Sequence, residues 1–445
     1  MKDKEILESV RNNLGIEQMN EMQRHMISSV SEGKDIILLS PTGSGKTLAF
    51  TIAVLKLMKP STGRIQCVVI APSRELVIQI ASVMREAGKM FRVIALYGGH
   101  KVEDEVNSLK VTPDIIVATP GRLLDHSVRH NLELLPVRIL VLDEFDKSLE
   151  LGFEEEMGKL IKRMKNVSRT ILTSATKKDI LPDFLKLDSA VTIDYSESGV
   201  HVRDRMKIRK VISSDNDKLE SLLILLNNIN FGNKEPEKTI VFVNHRESAE
   251  RIHEFLKKKR VPVSLYHGAL EQKEREIALS LFNNGSSPVL VATDLASRGL
   301  DIDSVKSVIH YHLPLTEEVF IHRNGRTARV EDEGNVYLLC GPEETLKEYM
   351  NFDEELNLDD TKSSELEQKT GTLYISSGKK EKLSKGDILG FLVKECGVAS
   401  SEIGKIEVFD HYSLVAVTKN EIPMILKTSE GKKLKGEKRR IRSLN

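Results

Sequence analysis

The chain has 445 residues, more than one hydrophobic core organises, so two or three domains are expected. No stretch approaches the ~20 apolar residues of a membrane span, and the charged start Met1-Lys2-Asp3-Lys4-Glu5 lacks the apolar centre of a secretory signal. A cytoplasmic location and no membrane partner are therefore expected. Cys67, Cys340 and Cys396 lie too far apart for a metal-ligand motif or a disulfide framework. The formal net charge is zero, but residues 371–445 hold 15 Lys/Arg against 9 Asp/Glu, a net +6, and the preceding 370 residues carry −6. Such a basic module points either to a polyanionic partner or to a solvated basic tail.

In chain order, short β-branched runs alternate with turn residues and helix-like patterns. They are Ile36 to Leu39, Cys67 to Ile70, Ile115 to Val117, Ile139 to Leu142 and Thr170 to Leu172. Runs this short and this apolar suit strands buried on both faces of a parallel sheet. The scheme recurs at Thr239 to Val243, Val289 to Val291 and Val336 to Leu339. Val117-Ala118-Thr119 and Val291-Ala292-Thr293 end comparable strands, which hints at duplication. The expected fold is α/β, two tandem parallel-sheet domains over 1–200 and 205–352, with a polar linker over 353–370. Residues 371–445 change rhythm. A strand at 372–376, a helix from Lys385 to Cys396, strands at 403–408 and 414–417, a short helix and a last strand near Arg439-Arg440-Ile441 predict a small α+β domain of order βαββαβ.

Ser40-Pro41-Thr42-Gly43-Ser44-Gly45-Lys46-Thr47 follows an expected strand and opens a helical run. Its glycines let successive backbone N–H groups turn toward phosphate oxygens, Lys46 would reach the β- and γ-phosphates, and the Thr47 hydroxyl would hold Mg²⁺. Ser40 stands where the general pattern has its first glycine. A structural Gly-rich turn is the competing reading, and the strand-to-helix placement argues against it. Asp143-Glu144-Phe145-Asp146 comes just past another strand, where doubly wound sheets place ligand groups. One carboxylate there can help hold Mg²⁺ while its neighbour orients a water; a helix cap is the alternative. His322-Arg323-Asn324-Gly325-Arg326-Thr327-Ala328-Arg329 offers arginines that could stabilise charge on a transferring phosphate.

In order and spacing the chain resembles the DEAD-box RNA helicases across roughly residues 1–350. The matching elements are Gln23, the phosphate loop, Ala71 to Leu76, Gly98-Gly99, Thr119 to Arg122 and Asp143 to Asp146. They continue with Ser174-Ala175-Thr176, Val241 to Val243, Gln272 to Arg275, Ala292 to Asp301 and His322 to Arg329. The resemblance implies two RecA-like domains, ATP and Mg²⁺ as cofactors, and RNA gripped through its backbone without base readout. It implies that Gln23 reads adenine, that Thr42, Gly43, Ser44, Gly45, Lys46 and Thr47 cradle the phosphates, and that Asp301 approaches the ribose. Lys46, Asp143, Glu144, Arg326 and Arg329 would be catalytic, with Thr47 and Asp143 on the metal. Asp146, Ser174 and Thr176 would couple hydrolysis to RNA, which Arg74, Gly99, Thr119, Arg122, Arg275 and Thr293 would contact. Three departures stand out: Phe145 replaces the alanine of the family motif, Ile16 replaces an aromatic near adenine, and Met19-Asn20 replaces Pro-Thr.

Residues 371–445 resemble the RRM-like C-terminal domain of DbpA-type helicases, on Thr372 to Ser376, Gly378-Lys379-Lys380, Gly386 to Ile388, Ile403 to Ile406 and Lys435-Gly436. This implies a 23S ribosomal RNA or pre-50S partner for a monomeric enzyme remodelling short duplexes. Phe409 to Val417 lacks the Gly-aromatic pattern of ordinary RRM sheets. Recognition is expected instead from basic rims, with Lys379, Lys380, Lys382 and Lys385 on one and Arg439 and Arg440 on the other. An ATP-gated RNA clamp with weak turnover, or a helicase acting on another RNA or on DNA, are the alternatives.

Overall fold

The computed structural model describes residues 3–41, 43–175, 181–187, 189–196, 203, 205–233, 235–297, 302, 305–328, 333–358, 366 and 368–444. The chain forms two compact units that divide near residues 204 and 205.

The first unit is built on β1 (Ile36–Leu39), β2 (Cys67–Ile70), β3 (Val93–Leu96), β4 (Ile115–Ala118), β5 (Ile139–Leu142), β6 (Arg169–Ser174) and β7 (Val191–Asp194). They make one parallel sheet in the order β3-β4-β2-β5-β6-β1-β7. Every residue of β2, β4 and β5 is buried, the outcome for strands covered on both faces. Helices Lys46–Leu57 and Arg74–Ala87 pack over one face with Val69, Val117 and Val141. Pro120–Val128 and Glu154–Arg163 cover the other with Ile70, Leu140 and Leu142.

The second unit repeats the plan with β8 (Met206–Ile212), β9 (Thr239–Phe242), β10 (Val263–Tyr266), β11 (Val289–Ala292), β12 (Ser307–His310), β13 (Gly334–Cys340) and β14 (Glu354–Leu356). The sheet order is β10-β11-β9-β12-β13-β8-β14, again parallel. β14 falls at the start of the expected linker. It joins the sheet edge because Asp353 accepts from Ile208 N at 2.7 Å while Glu354 and Glu355 pair with Arg209 and Lys210, each at 2.7 Å.

The same unit holds β15 (Thr370–Ile375), β16 (Ile403–Val408), β17 (Ser413–Thr418), β18 (Lys433–Leu434), β19 (Glu437–Lys438) and β20 (Ile441–Ser443). Four of them form an antiparallel sheet, β16-β17-β15-β20, and β18 with β19 make a small hairpin. Helices Lys385–Lys394 and Ile422–Ser429 back this sheet, with Ile388, Leu392 and Ile425 meeting Leu373, Ile375, Val415 and Val417 in one core.

Candidate functional site

The phosphate loop leaves β1 at the carboxyl edge of the first sheet. Gly43 at φ +83° and Gly45 at φ +90° adopt the left-handed backbone that glycine reaches without strain, and the Lys46–Leu57 helix starts directly after them. Lys46 is buried, and its ammonium donates to Ser40 O at 2.5 Å and Pro41 O at 3.2 Å, so its charge sits inside the curl of the loop. Thr47 opens the same helix. Thr42 lies outside the described residues.

Gln23 reaches this loop from the preceding helix, Glu21–Ser29. Its Nε2 donates to Gly45 O at 3.4 Å, and a methyl group on Gly45 would come within 2.5 Å of that nitrogen. Asn20, one of the departures from the family pattern, caps the helix. Its Oδ1 accepts from Gln23 N at 2.9 Å, Gln23 Oε1 accepts from Asn20 N at 3.0 Å, and Asn20 Nδ2 donates to Ser44 O at 2.9 Å. The amide thus caps the helix and also fastens it to the phosphate loop.

Asp143 and Glu144 follow β5. Asp143 is buried and accepts a hydrogen bond from the Thr173 hydroxyl, whose oxygen accepts in turn from Glu144 N at 3.2 Å. Burial raises the Asp143 carboxyl above its ordinary range, opposed by the Thr173 bond and the Lys46 charge. Glu144 takes φ +46°, which turns the chain into the Phe145–Glu150 helix. Phe145 is 1% exposed and belongs to the core shared by Leu142, Leu160 and Leu172, so the bulky ring points away from the carboxylates. Asp146 accepts from Ala175 N at 3.2 Å, which ties the acidic motif to the Ser174-Ala175 strand end. Thr176 lies outside the described residues.

Three further turns converge at the ends of β2, β3 and β4. Ser73 caps the Arg74–Ala87 helix through Leu76 N at 3.2 Å. The Arg74 guanidinium lies against the Gly98-Gly99 turn, where a methyl on Gly99 would come within 2.5 Å of it; Gly99 itself has φ +101°. Thr119 precedes the Pro120–Val128 helix, and Arg122 on that helix donates to Tyr97 O at 3.2 Å and His100 O at 3.0 Å.

In the second unit Arg275 is buried in the Gln272–Asn283 helix and donates to Gln272 Oε1 at 2.6 Å, and Thr293 follows β11. The arginines of the His322 to Arg329 stretch separate into distinct roles. Arg323 is fully buried and donates to Asp294 Oδ1 (2.5 Å), His312 O (2.8 Å) and Asn244 Oδ1 (2.7 Å), above the Phe242 ring. It binds strand ends together. Arg326 is also buried, while Asp301 and Arg329 lie outside the described residues.

The small sheet presents an aromatic face. Tyr374 and Tyr412 stack at 5.5 Å and Phe409 stacks on Tyr412 at 4.5 Å. That face is closed by the Gln272–Asn283 helix: Tyr412 OH donates to Glu276 at 2.6 Å, and the Lys273 ammonium bonds Tyr374 OH at 2.9 Å while lying over both tyrosine rings. Lys379, Lys380, Lys382, Lys385 and Arg440 are exposed. Arg439 departs from the expectation of an open RNA contact. Its guanidinium turns inward to Ser377 Oγ, Leu434 O at 3.2 Å and Glu437 at 3.2 Å. Glu105 and Thr173 carry site geometry that sequence reasoning passed over. Asn20, which the sequence showed only as a departure, left a local trace in its capping-box spacing to Gln23.

Fold and site together define a two-unit nucleoside triphosphatase of the phosphate-loop type with an appended small α+β domain. Residues 20–183 match the DEAD/DEAH box helicase family, 214–331 the helicase conserved C-terminal domain and 372–443 the DbpA RNA binding domain. The chain is 33% identical to the ATP-dependent RNA helicase DbpA of Escherichia coli (strain K12), over 97% of this chain and 96% of that protein. It is 29% identical to the DbpA of Bacillus subtilis (strain 168), over 97% and 96%. Among solved structures, Saccharomyces cerevisiae Dbp5 bound to RNA and ADP BeF3 aligns with a TM-score of 0.68 and 25% identity, over 80% of this chain and 94% of that one. The chain belongs to the DEAD-box ATP-dependent RNA helicases and carries a DbpA-type RNA-binding domain. It is an ATP-dependent RNA helicase. Among the described residues no helix is long and apolar enough to cross a membrane.

Proposed function

We propose that this enzyme is a cytoplasmic, monomeric RNA-dependent ATPase that opens short duplexes in 23S ribosomal RNA during large-subunit assembly. The observation that supports the motor reading is the joining of the phosphate loop, Asp143 and Thr173 at one sheet edge. The ribosomal target is supported by likeness to the DbpA proteins along nearly the whole chain.

In this reading Lys46 holds the β- and γ-phosphates, Gln23 meets the adenine edge and Glu144 orients the attacking water. Thr47 and Asp143 offer a hydroxyl and a carboxylate, the hard oxygen donors that Mg²⁺ takes. Bound there, the ion would neutralise phosphate charge. Arg326 and Arg329 serve as fingers on the transferring phosphate, and Asp301 meets the ribose. Asp146, Ser174 and Thr176 transmit nucleotide state to an RNA track made by Arg74, Gly99, Thr119, Arg122, Arg275 and Thr293. The track touches phosphates and 2′-hydroxyls, so the motor is sequence-blind and the C-terminal domain supplies the address. There Lys379, Lys380, Lys382, Lys385 and Arg440 meet the RNA.

Lys46→Ala is the test of the motor site: ATP turnover disappears while RNA affinity of the full chain persists. Undiminished turnover would remove the assigned site. Turnover against a panel of RNAs that includes 23S fragments tests the target, and a flat response retires the ribosomal assignment while leaving the motor intact.

A further inference from the structure

Glu105 is a carboxylate buried at 3% exposure on the Val102–Leu109 helix, and three groups donate to it while a guanidinium pairs with it. The donors are Tyr97 N at 2.9 Å, His100 Nε2 at 3.0 Å and His126 Nε2 at 2.7 Å, and Arg122 Nε stands 3.0 Å away as an ion-pair partner. Burial by itself would raise this carboxyl. The bonds from His100, His126 and Tyr97 N and the Arg122 charge outweigh that and hold it at about 2. His126 is oriented from its far side, where Nδ1 accepts from Asn131 Nδ2 at 3.0 Å, so its proton points at Glu105. Arg122 closes the ring by donating to Tyr97 O and His100 O. The Gly98-Gly99 turn is thus clamped at both ends, with Arg74 lying along it.

The His100 ring meets Tyr97 and Glu105, and Arg122 donates to its backbone oxygen. The Glu105 charge is balanced by Arg122 at near-neutral pH. The His100 side chain is 32% exposed and its ring stands edge-on to Tyr97 at 4.6 Å, so it is partly accessible at the turn while Nε2 is occupied. An imidazole with one nitrogen held by a carboxylate presents its other nitrogen to a phosphate oxygen, and a fully protonated ring donates from both.

We propose that His100 is a further RNA-phosphate contact, and that Glu105 is the positioning residue that holds it in register with Gly99 and Arg122. This rests on the reading of Arg74, Gly99 and Arg122 as part of the RNA track.

The experiment measures binding of an unstructured oligouridine to the full chain, with a non-hydrolysable ATP analogue, as a function of salt. One added phosphate contact steepens the slope of log affinity on log salt by about 0.7 for single strands. Wild type is expected to show a slope steeper by that amount than His100→Gln. Glu105→Ala raises the RNA concentration for half-maximal ATPase with little change in maximal turnover, and Glu105→Gln recovers part of the loss. Binding of the ATP analogue reports that the variants are folded. A slope unchanged from wild type in His100→Gln overturns the proposal. If Arg122→Ala leaves oligouridine affinity and slope untouched, the assignment of the track itself has failed.

Discussion

Phe145→Ala restores the family's motif residue and is expected to damage this protein. The ring is 1% exposed within the core that contains Leu142, Leu160 and Leu172. Its removal forfeits roughly 1.5–3 kcal/mol of apolar transfer, and the cavity left behind brings the usual total for Phe→Ala to about 3–5 kcal/mol. In a unit of about 200 residues each kcal/mol shifts Tm by roughly 2–4 °C, so a fall of about 10 °C is expected. The chain has no Trp, so unfolding is followed by circular dichroism in urea and by calorimetry, with and without an ATP analogue to mark the nucleotide-binding unit. Phe145→Leu should recover most of the loss. RNA-stimulated turnover should not rise in Phe145→Ala, because Asp146 already bonds Ala175 N with the ring in place. A destabilisation under about 1 kcal/mol would refute the packing argument.

Arg323→Lys should lower the unfolding transition of the second unit by about 3 kcal/mol, since an ammonium cannot serve Asp294, His312 O and Asn244 together. An unchanged transition would show that the guanidinium does not tie these strand ends. Tyr412→Phe should cost about 1–2 kcal/mol and speed amide exchange along Gln272–Asn283, because Glu276 loses its phenol donor. Unaltered exchange there would mean that this bond does not hold the small domain in place. His310 and His312 are pushed down to about 3 and about 4, in both cases first by burial and then by a neighbouring cation, Arg323 or Lys218. The unfolded chain therefore binds more protons than the fold below the ordinary histidine range. Stability of the second unit is full above about pH 6.5 and falls as the pH drops toward 4. A flat profile across that window would contradict the neutral, buried state of both rings.

How much was legible in the sequence follows from the range of the interactions involved. The phosphate loop was readable because its glycines, lysine and threonine act within eight consecutive residues, between a strand and a helix that their own patterns announce. Asp143 to Asp146 was readable for the same reason. β2, β4 and β5 were legible as four-residue runs buried on both faces. β3, β10 and β12 are just as short, but their runs mix with neighbouring helical patterns and carry Ala, Ser or His. β14 gave no apolar signal because it sits at the sheet edge with exposed glutamates.

The sequence by itself determined the class of chemistry, the doubled architecture and the family. Tertiary structure decided which like residues do different work. Arg323 is consumed by strand ends, Arg439 is turned inward, and the tyrosines of the small sheet are spent on a helix more than a hundred positions earlier. Phe145 became a core residue because an apolar cluster lies beneath the acidic turn. Glu105 became the centre of a cage of three donors and the Arg122 charge because β3 and β4 are neighbours in the sheet. The physical reason is common to all of these. A buried charge or ring takes its role from partners brought near by folding, and no spacing along the chain encodes those partners.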